Sequence, residues 1–481
     1  MIKPQQFPKS LSLLCLAILF AGGCATPLKS TYQLPAATLP SAWNTPVGAV
    51  DSQMQDRWWQ RFGDASLNRL VDEVLASNND LAAATILVRR AWLQADQANS
   101  DRLPSVSAQG NAGISRGLGN SDLGETKNFS LGTAVSYELD LWGKLGDRYD
   151  AARWQAQATE EDRAATALSL IATTTSAYWQ LAYLNGRITS SEQSIAYARK
   201  AYELVQVQKA AGAVDNADIL EAQRNLASQE AGHTTLLQQR QETRNGLAIL
   251  FNGPPRTLLT QEPQDLAEVR LPGVDAGLPA NLLSRRPDLR AAEARLRSTL
   301  ATTDATKVSY YPSLNLTGNL GSASTALQQL LNNPIASLGA QLALPFIQWR
   351  DMQRNVKISE SEYEEAIVRF RQSLYSAMMD VENSLSARMQ YQAQAQQLER
   401  ALESARGVEE LNLIRYKAGG IPLKFWLDAQ ENRRQAEIAL AQNRLDQIIN
   451  HITLSKALGG DSQKKGGSEN GLPLLPRELQ E

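Results

Sequence analysis

Hydrophobic and polar positions along this chain follow two periods in a fixed order, and the order occurs twice. Trp58-Trp59 and Phe62 lead to Asp64, a helix N-cap, and then to Leu67, Leu70, Val71, Val74 and Leu75 at helical spacing. The series runs on through Leu81, Ile86 and Trp92, which predicts one helix to about Ser100. The period then becomes two. Val106, Ala108, Gly110, Ala112 and Ile114 alternate with small or polar neighbours, and so do Phe129, Leu131, Thr133, Val135, Tyr137 and Leu139. A Gly/Asn/Ser/Asp loop, 117–124, joins these two predicted strands. Ten-residue alternation with small polar groups on one face fits a membrane barrel strand, and equally a half-buried soluble hairpin.

After Trp142-Gly143 the helical period returns. Ala167, Leu170, Thr174, Ala177, Leu181, Leu184, Ile188, Ser191, Ile195, Ala198, Tyr202 and Val205 step by three and four, a shallow heptad seam that suits close-packed helices. At ~1.5 Å per residue this helix is on the order of 100 Å long. It is expected to turn at Gly212 and come back from Asp218 to Leu250. Pro- and Gly-rich residues 254–280 follow as a connector. The order then restarts with a helix from Arg286-Pro287-Asp288-Leu289. A strand follows through Leu314, Leu316, Gly318 and Leu320, then another through Leu338, Ala340, Leu342, Leu344 and Phe346. A long helix from about Asp351 to Lys417 turns at Gly419 and returns to Gly459-Gly460.

The two series superpose. At a shift of 208, Asp80 meets Asp288, Pro104 meets Pro312 and Asn111 meets Asn319; at 207, Trp142 meets Trp349, Gly212 meets Gly419, Gln223 meets Gln430 and Gly253 meets Gly460. A repeat this long is a duplicated half-domain rather than a solenoid. The expected organisation is 1–23 signal peptide, 24–65 lead-in, 66–253 first repeat, 254–280 connector, 281–460 second repeat and 461–481 tail. Each half offers two strands. A barrel in lipid must close, and single-chain barrels begin at eight strands, so barrel strands here require several copies of the chain.

Composition changes the picture only at the N-terminus. Over 481 residues the net charge is −2 and 43% of residues are hydrophobic, which gives no basic surface for nucleic acid and no acidic tail. Mean hydropathy is −0.33. Lys3 and Lys9 precede the apolar run Leu11–Phe20, and Ala21-Gly22-Gly23 lead into Cys24. This is an export signal. The small residues before Cys24 resemble a lipobox, in which the cysteine becomes the acylated first residue. With Cys15 inside the signal, the processed chain keeps one thiol and forms no internal disulfide. Ala25, where aspartate marks inner-membrane retention, resembles an outer-membrane sorting signal.

Leu283-Ser284-Arg285-Arg286-Pro287-Asp288-Leu289, Ala291-Ala292-Glu293-Ala294 and Tyr310-Tyr311-Pro312-Ser313-Leu314, with Trp58-Trp59 and both glycine turns, carry a resemblance. The chain resembles the outer membrane factor (TolC-type) efflux proteins, most closely the lipoprotein branch serving resistance-nodulation-division pumps. The resemblance implies an α+β membrane channel with internal duplication. Each chain would give four strands to a trimeric twelve-stranded β-barrel, and long antiparallel helices to a periplasmic α-barrel. The lead-in and the connector would form an equatorial belt. It implies an outer-membrane exit channel that conducts drugs or other small toxic compounds. Its partners would be a periplasmic adaptor and an inner-membrane pump, with no cofactor beyond the lipid on Cys24.

The resemblance also assigns the hairpin turns. Asp218 lies where the family often has a carboxylate facing the pore entrance, and three would make an anionic ring favouring cations. Tyr416 matches a tyrosine that helps hold the aperture closed. Ile421 stands where an arginine occurs in some members, so Arg415 or Lys424 is expected to pair with Asp215 or Asp218 instead. With Phe425 these complete the expected gate. Gly212, Ala213, Val214, Gly419, Gly420 and Ile421 are the expected adaptor-contact tips. The plainer reading of the same residues is helix termination and solvated charge.

Three other readings bear on the same residues. An enzyme lacks support, because only His233 and His451 are present and no nucleophile, phosphate-loop or metal spacing occurs. A metal-cation efflux channel would share the architecture. A structural periplasmic coiled-coil lipoprotein would share the helices but not the four alternating segments.

Overall fold

The computed structural model describes residues 29–45, 57–116, 125–254, 262–266, 269–273 and 276–460. In chain order its elements are α1 (Ala65–Ser77), α2 (Asn79–Ser100), β1 (Ser105–Ser115), β2 (Thr126–Leu139), α3 (Lys144–Ala210), α4 (Asn216–Ala248), α5 (Leu282–Arg285), α6 (Pro287–Val308), β3 (Ser313–Ser324), β4 (Ile335–Ala343), α7 (Trp349–Lys417) and α8 (Leu423–Ala457). Among the described residues no helix is long and apolar enough to cross a membrane.

Two expectations need correction. The helix over 65–100 is two helices, because Asn78 leaves helical geometry and caps α2. Its Oδ1 accepts from Leu81 N–H at 3.0 Å and its Nδ2 donates to the Leu250 carbonyl at 3.0 Å. The fourth strand ends at Ala343, not Phe346, since Pro345 supplies no N–H to a ladder and opens a 3-10 turn over Pro345–Ile347.

The chain forms two compact units. One gathers Arg90–Gln157 and Glu293–Arg369 with the segment up to Ala36. Its centre is a four-stranded antiparallel sheet in the order β1-β2-β3-β4. The register places Val106, Ala108 and Ala112 opposite Val135, Thr133 and Phe129; Leu131, Val135 and Leu139 then meet Ser322, Gly318 and Leu314, and Leu314 and Gly318 meet Leu342 and Leu338. All four apolar series therefore share one face. Among the described residues nothing covers most of it, and Leu338 is 94% exposed. At the end where β2 leaves the sheet, the Trp142 indole donates to the Pro312 carbonyl at 2.7 Å and meets Tyr311 edge-on. Asp140 turns the chain into α3 by accepting from Leu145 and Gly146 N–H.

The other unit gathers Ala37–Arg89, Ala158–Ala292 and the segment from Phe370. Its core joins Trp58, Trp59, Phe62 and the α1 leucines to Leu170, Tyr178, Trp179, Leu181 and Leu184 of α3, and to Leu445, Ile448 and Ile452 of α8. Asp64 caps α1 and also accepts from the Tyr178 hydroxyl at 2.6 Å. The α3 seam is buried where the heptad placed it, at Leu170, Thr174, Leu181, Leu184, Ile188, Ala198 and Val205. The connector is pinned at Glu262, which takes two hydrogen bonds from Arg244 at 2.7 and 2.9 Å and one from Asn185. Arg286 donates to Asp288, to Asp380 and to the carbonyls of Ala377 and Ala457. Each hairpin also carries one ion pair in an equivalent place. Arg199–Glu230 spans α3 and α4 at 3.1 Å, and Arg406–Glu437 spans α7 and α8 at 3.4 Å, 207 residues on.

Candidate functional site: the two hairpin turns

Both long helices end in the same local geometry. Gly212 (φ 77°) donates to the Lys209 carbonyl and Ala213 to that of Gln208; Gly419 (φ 74°) donates to Tyr416 and Gly420 to Arg415. Each is a Schellman motif, with glycine in the left-handed position that terminates a helix cheaply. Gly212, Ala213, Gly419 and Gly420 are exposed, while Val214 and Ile421 are half-buried.

The return helices begin differently. Asp215 caps α4, its Oδ1 accepting from Ala217 N–H at 2.7 Å and Asp218 N–H at 3.2 Å. Pro422 precedes α8 and makes no side-chain cap. Instead Asn412 of α7 donates to the Phe425 carbonyl at 3.1 Å, and the Phe425 ring stays 54% exposed.

Under the turns lies a small core of Ala201, Val205, Ala222, Leu423 and Leu427, with Tyr202, Val214, Ile219, Tyr416 and Trp426 packed against it. It draws on all four hairpin helices, so it joins the two turns of one chain. Tyr416 stacks on Trp426 with centroids 5.7 Å apart and planes 14° apart, and its hydroxyl donates to Gln208 Oε1 at 2.9 Å. The bond runs from α7 to α3 and ties the second turn to the first. Higher up, Gln229 of α4 reaches Glu431 of α8 at 3.4 Å.

The expected ion pairs are not formed within the chain. Lys424 pairs with Asp428 one turn along its own helix, at 3.2 Å, where little conformational freedom is lost. Asp215 is engaged as a cap, Asp218 lies half-buried in the first turn of α4, and Arg415 is exposed, its carbonyl accepting from Gly420. The structure thus brings Tyr416 to the joint between the turns and leaves Arg415, Lys424 and Phe425 on the surface. Gln208 and Trp426 are the members that the sequence reading missed. The shift of 207 offered one signal for Trp426, since it falls on Ile219, another member of the same small core. Cys24 lies outside the described residues.

One stacked ring pair and one hydrogen bond thus tie the ends of the two helical hairpins together.

A model of the family described as outer membrane efflux protein matches residues 70–253 and 278–460. The pyoverdine export outer membrane protein OpmQ of Pseudomonas putida is 30% identical over 466 residues, covering 95% of this chain and 98% of the relative. Toxin and drug export protein A of Aggregatibacter actinomycetemcomitans is 30% identical over 410 residues, covering 85% and 89%. Among solved structures, the open state of the Neisseria gonorrhoeae MtrE outer membrane channel superposes with a TM-score of 0.81 at 26% identity, over 90% of this chain and 98% of that one.

Proposed function

This chain belongs to the outer membrane efflux protein family and is an outer-membrane exit channel, and we propose that three copies close one β-barrel and that the hairpin turns, at the far ends of the long helices, gate the channel's periplasmic entrance. The observation that carries the proposal is the sheet. Among the described residues its β1 and β4 edges are unpaired and one face is mostly apolar and uncovered, an arrangement stable in lipid only when the edges are closed. Small polar residues on the other face suit a water-filled lumen.

The cargo is drugs or other small toxic compounds, in keeping with the drug export in one relative's name. It is handed over by a periplasmic adaptor and an inner-membrane pump, which contact the exposed glycine turns. Cys24 carries the lipid, on the strength of the small residues before it. The test is drug susceptibility of a deletion strain, with each candidate pump deleted in turn. Sensitisation that no longer adds to loss of one particular pump is expected; unchanged susceptibility across all classes of compound would count against the efflux role.

The joint between the turns is the gate's intrachain latch, and Asp218 contributes the anionic ring. Tyr416→Phe keeps the stack and removes only the bond to Gln208. At about 1 kcal/mol per chain the closed state should weaken about fivefold for each copy. Single-channel recordings in planar bilayers should show a higher open fraction for Tyr416→Phe and for Gln208→Ala. Recordings indistinguishable from the parent would remove the latch role.

A further inference from the structure

The register fixes which side chains share the sheet's polar face. From β1 these are Ser107, Gln109 and Asn111; from β2, Asn128, Ser130 and Ser136; from β3, Asn315, Thr317 and Asn319; from β4, Ser337 and Gln341. Amides and hydroxyls bond sideways along it, as Ser136 Oγ does to Asn315 Oδ1 at 3.1 Å. Among the described residues, Glu138 alone on this face is charged. It sits one position before the end of β2, opposite Asn315, and Lys144 in the first turn of α3 forms an ion pair with it. Both side chains are sheltered, Lys144 at 19% exposure and Glu138 at 32%.

Neighbouring charges are engaged elsewhere. Asp140 caps α3, Lys29 pairs with Asp147 and Asp150, and the Arg102 guanidinium lies over the Tyr149 ring. The second repeat has no counterpart. Pro345 stands 207 residues after Glu138, and Asp351 stands 207 after Lys144 and pairs with Arg354.

We infer that the Glu138–Lys144 pair is a charge-cancelling collar at the inner mouth of the barrel, one pair per chain, that leaves the sheet's lumen face without net charge so that cargo passes it irrespective of sign. Selection by charge is thereby confined to the helical part of the channel. A bare carboxylate at this level would act on every ion entering the barrel, because a ring of like charges at a constriction raises the local counter-ion concentration. Lys144 cancels it at the source. The inference rests on closure of the sheet by copies of this chain, as proposed above.

The test is reversal potential in planar bilayers under a potassium chloride gradient, at about 0.1 M, where the screening length is about 10 Å. Lys144→Gln uncovers the carboxylates and should shift the permeability ratio about two- to threefold toward cations. Glu138→Gln should shift it toward anions. The double variant and the charge-keeping Lys144→Arg should both return the parent value. The turns are common to every variant, so their contribution cancels from the differences. Parent-like potentials in both single variants would overturn the collar while leaving the channel reading intact, and so would a shift that persists in the double variant. Failure of the parent protein itself to conduct would overturn both.

Discussion

Gly459→Ala should destabilise the protein by about 3 kcal/mol or more. Gly459 ends α8 at φ 91°, donating to the Lys456 carbonyl while Gly460 donates to that of Ser455. A Cβ there would lie 2.7 Å from the carbonyl carbon and oxygen of Arg285 and 2.9 Å from the nitrogen of Arg286. These are backbone atoms and cannot swing aside, so steric overlap adds to the left-handed strain. Gly419→Ala is the control. It has the same hand, φ 74°, with nothing within 4 Å of the added carbon, and should cost only about 1 kcal/mol. Thermal unfolding of the purified protein in detergent, followed by far-ultraviolet circular dichroism, separates them. Equal midpoints for the two variants would mean that the close approach to Arg285 does not constrain the fold.

Arg286→Ala comes next in size, with an expected loss of about 2 kcal/mol. The guanidinium is 13% exposed and bridges α6, α7 and the end of α8. Its removal leaves the Ala377 and Ala457 carbonyls without that donor. Asp288 and Asp380 are 49% and 46% exposed, so water recovers much of their loss, which keeps the figure at the low end. Burial works to raise the Asp288 carboxyl, but the Arg286 hydrogen bonds and charge outweigh it and hold the group below the usual carboxylate range. The sign follows. With its folded value depressed, Asp288 adds stability at neutral pH, and that contribution fades as pH falls through the carboxylate range. The parent should therefore lose stability on acidification more steeply than Arg286→Ala in urea titrations that run from pH 7 down to about pH 2, below the ordinary carboxylate value. Parallel losses would show that the clasp carries no such linkage.

The strands were legible because alternation survives in every one of them, and a period of two admits one partition of faces. The same alternation overran Ala343, since Leu344 and Phe346 keep the rhythm while Pro345 ends the ladder. The long helices and their turns were legible from the heptad steps and from glycine. The break at Asn78 was hidden because Leu75 and Leu81 carry the apolar series across it. Tyr416 could be singled out, but Gln208 could not. A glutamine on a long polar helix has no local signature, and its partner lies 208 residues away. Lys424 illustrates the converse. A carboxylate four residues ahead on the same helix competes with any distant one, and sequence alone does not rank the two.

The middle seam of the sheet has a consequence for biogenesis. β2 belongs to the first repeat and β3 to the second, and their eleven ladder pairs join residues from Leu139↔Leu314 out to Phe129↔Ser324. No nascent chain can start this ladder until the second repeat has been exported through its own first strand. Before then β1 and β2 form a lone hairpin, which has marginal stability in water. Closing so large a loop is slow, and the bare apolar strands are prone to aggregate while it stays open. The order of the strands thus delays completion of the sheet until both repeats are present, and a chain truncated after the first repeat would be left with that single hairpin.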